Sequence, residues 1–199
     1  MVRIDAHLHV FARASAQFPR EASALAPAER EETVEKYVAV MEEHDIDQAM
    51  LVQIGGAEIA EHAYLQHCLA SYADRFLGIG LIPADCAKPE EHMDRLAEAG
   101  GIVGFRLGAL GGPRDPFAVV DVRELATYRI WKHAAAKDYV LWLYLRAADA
   151  HLTAYLVEEF PQVRVVFNHL GICPGEGKFS VDEHGRPRVD TPAYNPSQH

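Results

Sequence analysis

The sequence predicts an α/β fold: a parallel sheet wrapped by helices, TIM-barrel-like, with six of the eight βα units that a closed (β/α)₈ barrel needs. Three observations carry this expectation. Short apolar runs alternate strictly with segments of helical periodicity, the signature of a parallel sheet covered by helices. Polar side chains (His7 and His9, Gln53, Arg106, Arg146, and Asn168 with His169) stand at the C-terminal ends of several of those runs, where a barrel assembles its site from many strands. The first run lacks a GxGxxG or Walker loop, which removes the usual reason to choose an open doubly wound sheet.

Taken in order, residues 2–10 read as a strand, followed by a polar, Ala-rich stretch over 12–29. In "ETVEKYVAVMEEHDI", Val34, Tyr37, Val38 and Met41 keep the spacing of one helix face. "DQAMLVQI" has strand length, "AEIAEHAYLQHCLASYADR" is helical, and "FLGIGLIP" is a strand stopped by Pro83. "KPEEHMDRLAEAG" and "GIVGFRL" repeat the pattern, then "DVRELATYRIWKHAAAKD" reads as one helix before "YVLWLYL". "ADAHLTAYLVEEFP" and "VRVVFNHLG" close it.

A full barrel typically takes ~250 residues, and this chain has 199. Beyond His169 the sequence is rich in Gly, Pro and charge and has no run long enough to count as a strand. The expected organisation is a single domain over 1–199, with six βα units over 1–171 and an irregular tail over 172–199 in which the C-terminal units are missing. Two open parallel edges would then need cover from the tail or another chain, so a homo-oligomer is compatible with the sequence.

Nineteen Lys plus Arg against 29 Asp plus Glu give a formal charge of −10, which repels phosphate backbones and anionic lipid. Nucleic acid and membrane are therefore not expected partners. No apolar stretch approaches the roughly 20 residues that cross a bilayer, and the N-terminus reaches Asp5-x-His7 without a leader-like run, so a cytoplasmic location is expected. Cys68, Cys86 and Cys173 lack CxxC spacing and read as reduced thiols.

Asp5, His7 and His9 alternate along the first strand, so they are expected to project from one face. Two imidazoles there can hold a divalent metal such as zinc or polarise a substrate oxygen. Burying them in an otherwise apolar strand costs free energy unless both are satisfied, which favours function over chance in a chain with 11 His. Asp5, lying deeper, would orient its neighbours. Arg106 at the end of the fourth strand suits bidentate binding of a carboxylate, against the plainer alternative of a salt bridge. Arg114, on the Gly-rich loop that follows, has the same chemistry with a stronger case for simple solvation. Asn168 and His169 leave the sixth strand as a polar pair that packing alone does not explain. His44, His62, His67, His92, His133 and His151 lie among charged residues of amphipathic helices and read as solvated. Trp142 and Tyr144 alternate along the fifth strand, either as core or as pocket lining. No GxSxG, HExxH or Cys-His constellation is present.

Together "DAHLHVF", "GIVGFRL" and "VVFNHLG" resemble the amidohydrolase superfamily, in particular the amidohydrolase-related group of sugar lactonases and 2-pyrone-4,6-dicarboxylate lactonase. The resemblance runs in order over nearly the whole chain. It implies a (β/α)₈ barrel, places His7 and His9 as the strand-one pair and His169 as the strand-six histidine, and gives Arg106 the part of the arginine that holds a substrate carboxylate. Metal-dependent members carry a further His or a modified Lys on strand four or five. Here those strands offer Arg106 and "LYLRAAD", which favours the metal-independent branch. The strand-eight Asp that acts as base toward water has no counterpart after residue 169, since neither Asp182 nor Asp190 follows an apolar strand.

What the resemblance implies is a hydrolase acting on a lactone or other carboxylated small molecule by activating water, impaired by C-terminal truncation. His7, His9 and His169 would be catalytic, and Arg106, Arg114 and Asn168 would bind substrate. One alternative is a zinc-dependent decarboxylase of the aminocarboxymuconate-semialdehyde type, with His7 and His9 as metal ligands. Another is a non-catalytic remnant that self-associates.

Overall fold

In the computed structural model, residues 2–23, 26–171, 178–181, 183 and 187–190 are described. Six parallel strands, β1 (Ile4–Leu8), β2 (Gln48–Val52), β3 (Phe76–Leu81), β4 (Ile102–Leu107), β5 (Val140–Leu143) and β6 (Val165–Phe167), form one sheet in sequence order. Between them run α1 (Val34–Glu43), α2 (Ala63–Ser71), α3 (Pro89–Ala97), α4 (Tyr128–Lys137) and α5 (Leu152–Glu159). This is the α/β, TIM-barrel-like partial fold that the alternation implies.

Local chemistry explains the helices. Val34 and Met41, two turns apart on α1, are fully buried. Pro89 opens α3, where a missing N–H costs nothing, with Glu90 and Glu91 in the first turn and Arg95 in the last. α4 stops at Asp138, which takes a left-handed conformation at φ 58°.

Two expectations are corrected. Residues 121–138 do not form one helix: Val122–Glu124 is a 3₁₀ turn in which the Asp121 side chain accepts a hydrogen bond from the Arg123 N–H, and Leu125 is extended before α4 begins. The break has a physical cause, because the Ala126 N–H bonds to Gly111 O at 3.1 Å and the Thr127 hydroxyl donates to Leu110 O at 2.9 Å. The segment expected to be irregular contains an antiparallel pair, β7 (Lys178–Val181) with β8 (Pro187–Asp190), separate from the main sheet. Four-residue strands give too short an alternation to stand out from a Gly- and Pro-rich background.

The sheet divides the apolar residues into two groups. Its outer face carries the main core against the helices, including Leu51, Phe105, Leu107, Leu141 and Leu143 with Met41, Met93, Leu96 and Trp131. Its inner face carries a smaller cluster, Val52, Ile79 and Trp142, lined by Met50, Val103, Val140 and Val166. The sheet curls strongly toward that inner face. In a flat sheet with strands about 4.8 Å apart, β1 and β6 would lie about 24 Å from each other, yet the rings of His7 on β1 and His169 just beyond β6 have centroids 5.1 Å apart. The indole Nε1 of Trp142 on β5 likewise reaches to 3.4 Å from His7 Nδ1.

Of the cysteines, Cys68 is buried and Cys86 half-buried, both as free thiols; Cys173 lies outside the described residues. No helix among the described residues is long and apolar enough to cross a membrane.

Candidate active site

Two strand irregularities aim the polar side chains. β1 pairs Asp5 with Ala49 and Leu8 with Leu51, so three steps on β1 match two on β2. This bulge sends Asp5 and Leu8 to the outer face while His7 and His9 point inward. The expectation that Asp5 projects with the two imidazoles is therefore corrected. Its carboxylate accepts from the Tyr37 hydroxyl on α1 at 2.7 Å and from the His7 backbone N–H at 3.1 Å. Asp5 thus holds the bulge that turns His7 inward, a role closer to orientation than to ligation. On β4, Val103 is inserted between the pairs Gly78–Ile102 and Ile79–Gly104. Val103 lines the inner cluster and Phe105 the outer one, so Arg106 turns inward, where strict alternation from Val103 would have sent it outward.

At the centre the polar groups form a directed chain. His9 Nδ1 lies 2.7 Å from Val52 O, His7 Nε2 lies 3.4 Å from His9 Nε2, and Trp142 Nε1 donates to His7 Nδ1 over 3.4 Å. Burial pushes the His7 pKa down to about 4, helped by His9, Arg106 and His169. Burial also lowers that of His9, against the Val52 hydrogen bond. Both rings are therefore neutral at pH 7.

The structure brings His169 and Arg106 to the same place. The Arg106 guanidinium stands 4.3 Å over the Tyr144 ring, and Tyr144 meets the His169 ring edge-on at 5.2 Å. His169 adopts φ 51°, a left-handed conformation that non-glycine residues take at a cost, and its pKa is lowered by burial and by Arg106. Burial lowers the Arg106 pKa too, and among the described residues no carboxylate lies within ion-pair distance of it. Asn168 is 3% exposed, and its Nδ2 and Oδ1 both lack partners among the described residues.

Other sequence candidates fall elsewhere. Arg114 is exposed on the loop after β4 and, among the described residues, makes no hydrogen bond to the imidazoles. Gln53 at the end of β2 spends its amide N–H groups on Ile54 O and Glu61 O. The group of helix histidines read as solvated divides. His44 and His67 are exposed, but His62 is fully buried, His92 and His151 each have a buried Nε2 without a partner among the described residues, and His133 contacts Asp94. Trp142 is 7% exposed in the inner-face apolar cluster and turns its indole N–H toward His7, while Tyr144 packs against Arg106 and His169.

Two zinc–nitrogen bonds of about 2.1 Å at a tetrahedral angle span about 3.4 Å, which is the His7–His9 Nε2 separation. His7 and His9 therefore fit two positions of a divalent ion. Among the described residues, no group of three or more His, Cys, Asp and Glu is arranged to hold a metal.

A protein-family model described as Amidohydrolase matches residues 4–191. Among solved structures, a probable 2-pyrone-4,6-dicarboxylic acid hydrolase from Acinetobacter baumannii, with citric acid bound, is 23% identical at a TM-score of 0.59, covering 86% of this chain and 59% of that one. An amidohydrolase from Burkholderia multivorans with bound zinc is 20% identical at a TM-score of 0.60, covering 86% and 58%. The 2,6-dihydroxybenzoate decarboxylase from Rhizobium is 16% identical at a TM-score of 0.58, covering 85% and 67%. These likenesses establish the fold, and the chain spans 59% of the length of the Acinetobacter protein. No curated protein matches the chain.

Proposed function

Because the chain belongs to the amidohydrolase family, we propose that it binds a carboxylated lactone or related small molecule and hydrolyses it through His7, His9 and His169. The observation that carries this reading is Arg106: a half-buried guanidinium with no carboxylate partner among the described residues, facing three imidazoles. An unpaired charge withdrawn from water is costly, and a substrate carboxylate accepting both guanidinium N–H groups offsets that cost.

With the carboxylate on Arg106, the reacting carbonyl would lie toward the neutral rings. The His7 Nε2–H can turn from His9 to the carbonyl oxygen and stabilise the oxyanion that forms as water adds. His169, neutral and at the open side, would accept a proton from that water. As the oxyanion collapses, the ring C–O bond breaks and its oxygen takes up the proton held on His169, leaving a hydroxy acid. Asn168, adjacent to His169, would contribute its unpartnered amide to substrate, and Arg114 would contribute only if its loop folds inward. A divalent ion held by His7 and His9 would supply Lewis-acid polarisation of the same oxygen.

Turnover of a panel of carboxylated lactones tests the reading. Activity that falls at least 100-fold in His169→Ala supports it; no turnover of any member by wild type counts against it. The zinc-dependent decarboxylase reading draws on the His7–His9 separation, and CO₂ release that depends on stoichiometric zinc would establish it instead. A self-associating, non-catalytic role draws on the sheet edges, where β1 and β6 each have one neighbour among the described residues and Val2, Ile4 and Phe167 are 64%, 61% and 55% exposed. A monomeric mass by sedimentation would remove it.

A further inference from the structure

We propose that the Trp142 indole is a positioning residue that fixes the proton of His7 on Nε2 and thereby weakens divalent-metal binding by the His7–His9 pair. The inference does not depend on the hydrolytic reading, since it concerns which ring nitrogen carries hydrogen.

The assignment follows from what each partner can do. A backbone carbonyl only accepts and an indole N–H only donates. Val52 O therefore requires the His9 hydrogen on Nδ1, leaving a lone pair on His9 Nε2. Trp142 Nε1–H requires a lone pair on His7 Nδ1, so a neutral His7 carries its hydrogen on Nε2 and donates it to His9 Nε2. The four groups run in one direction, from Trp142 through His7 and His9 to Val52.

The two imidazoles are thus unequal toward a metal. His9 offers a lone pair at Nε2 with its Nδ1–H on a carbonyl, the support that a ligating imidazole ordinarily has. His7 offers an N–H where a metal needs a lone pair. To ligate, it must move its hydrogen to Nδ1, where the one hydrogen-bond partner among the described residues is the indole N–H; donor would then face donor. The indole has little room to turn aside, being 7% exposed and packed with Val52 and Ile79. Arg106, close enough to lower the pKa of both rings, adds a positive charge that opposes a cation at the same place.

Nitrogen-15 NMR of the imidazoles in metal-free wild type reads the hydrogen positions directly, and the proposal expects Nε2–H on His7 and Nδ1–H on His9. Zinc titration by calorimetry then compares wild type with Trp142→Phe, which keeps an aromatic ring in the inner cluster and removes the donor. The variant is expected to bind zinc roughly tenfold more tightly, the worth of one net hydrogen bond, with Nδ1–H now populated on His7. Nδ1–H on His7 in the wild type overturns the proposal, as does zinc affinity unchanged or weaker in a variant whose circular dichroism is native. If Trp142→Phe does not fold, the wild-type NMR assignment decides alone. Absence of lactone turnover would leave both measurements valid.

Discussion

His62 offers the sharpest test of how the scaffold responds to pH. It is fully buried at the start of α2, against β3 and close to His92 of α3; its Nδ1–H donates to Glu58 O at 2.8 Å, and its Nε2 accepts the Leu81 N–H at 2.9 Å. Burial holds its pKa down to about 4, with His92 adding to the effect and the Glu58 bond opposing it. A protonated ring would lose the Leu81 bond, because Nε2 would become a donor facing a donor. The folded state therefore keeps His62 neutral while the unfolded chain protonates it near pH 6.5. Between those values the unfolded state binds one more proton, so the stability that the neutral ring contributes is whole above about pH 6.5 and falls as pH drops toward 4. At about 1.4 kcal/mol per pH unit the loss amounts to about 3 kcal/mol. Urea unfolding of wild type and His62→Gln at several pH values from 7.5 to 4 measures it. The variant should be less stable at pH 7.5 by about 1–3 kcal/mol for its disturbed hydrogen bonds, and its stability should fall less steeply below pH 6.5. Parallel curves for the two proteins would refute the assignment of a buried neutral ring.

Three further outcomes follow from the site and its support. In Gly104→Ala the new Cβ would run into Val140 O on the neighbouring strand, so β4 and β5 must part; a loss of about 1–3 kcal/mol is expected, and an unchanged thermal midpoint would show that the bulge tolerates a side chain. Arg106→Met should leave stability equal or higher, because it removes a desolvated charge without a carboxylate partner among the described residues, while raising KM for a carboxylated substrate by tenfold or more; loss of stability would reveal a structural ion pair instead. Tyr37→Phe deletes the hydroxyl that donates to Asp5 and should cost about 1 kcal/mol in thermal or urea unfolding, whereas no change would mean that the Asp5 carboxylate is held by the His7 N–H alone.

The six strands were legible because a parallel sheet covered by helices is written as bare apolar runs, and "AMLV", "FLGIGL" and "VLWL" need no long-range information to be read. The segment 121–138 reads as one helix because Val122, Leu125 and Tyr128 fall three residues apart, while the bonds that break the helix come from Leu110 and Gly111, distant in sequence. His62 was misread for a related reason. Its neighbours Glu58 and Glu61 suggest a solvated face, but the partner that makes burial tolerable is the Leu81 N–H, nineteen residues away.

The site itself depends on something that alternation cannot express. A bulge adds one residue to a strand without altering its composition, yet it reverses the face of every side chain that follows. On β1 the extra residue separates Asp5 from the two histidines and hands it to Tyr37. On β4 it sends Phe105 into the outer core and Arg106 toward the imidazoles. The pairing of Gly104 with Val140 leaves no space for a Cβ, so the glycine in "IVGFRL" is the one trace that the second bulge leaves in the sequence, and it is ambiguous there because a strand glycine signals equally a bulge or a close approach of backbones. Here the approach is settled by the packing and the bulge by the register. The facing of Arg106 is therefore a property of the β3–β4–β5 register as a whole. Deleting Val103 removes the extra residue and leaves Gly104, Phe105 and Arg106 in register with Ile79, Gly80 and Leu81, so the guanidinium should stay on the inner face; its loss from the site in that variant would refute this reading of the register.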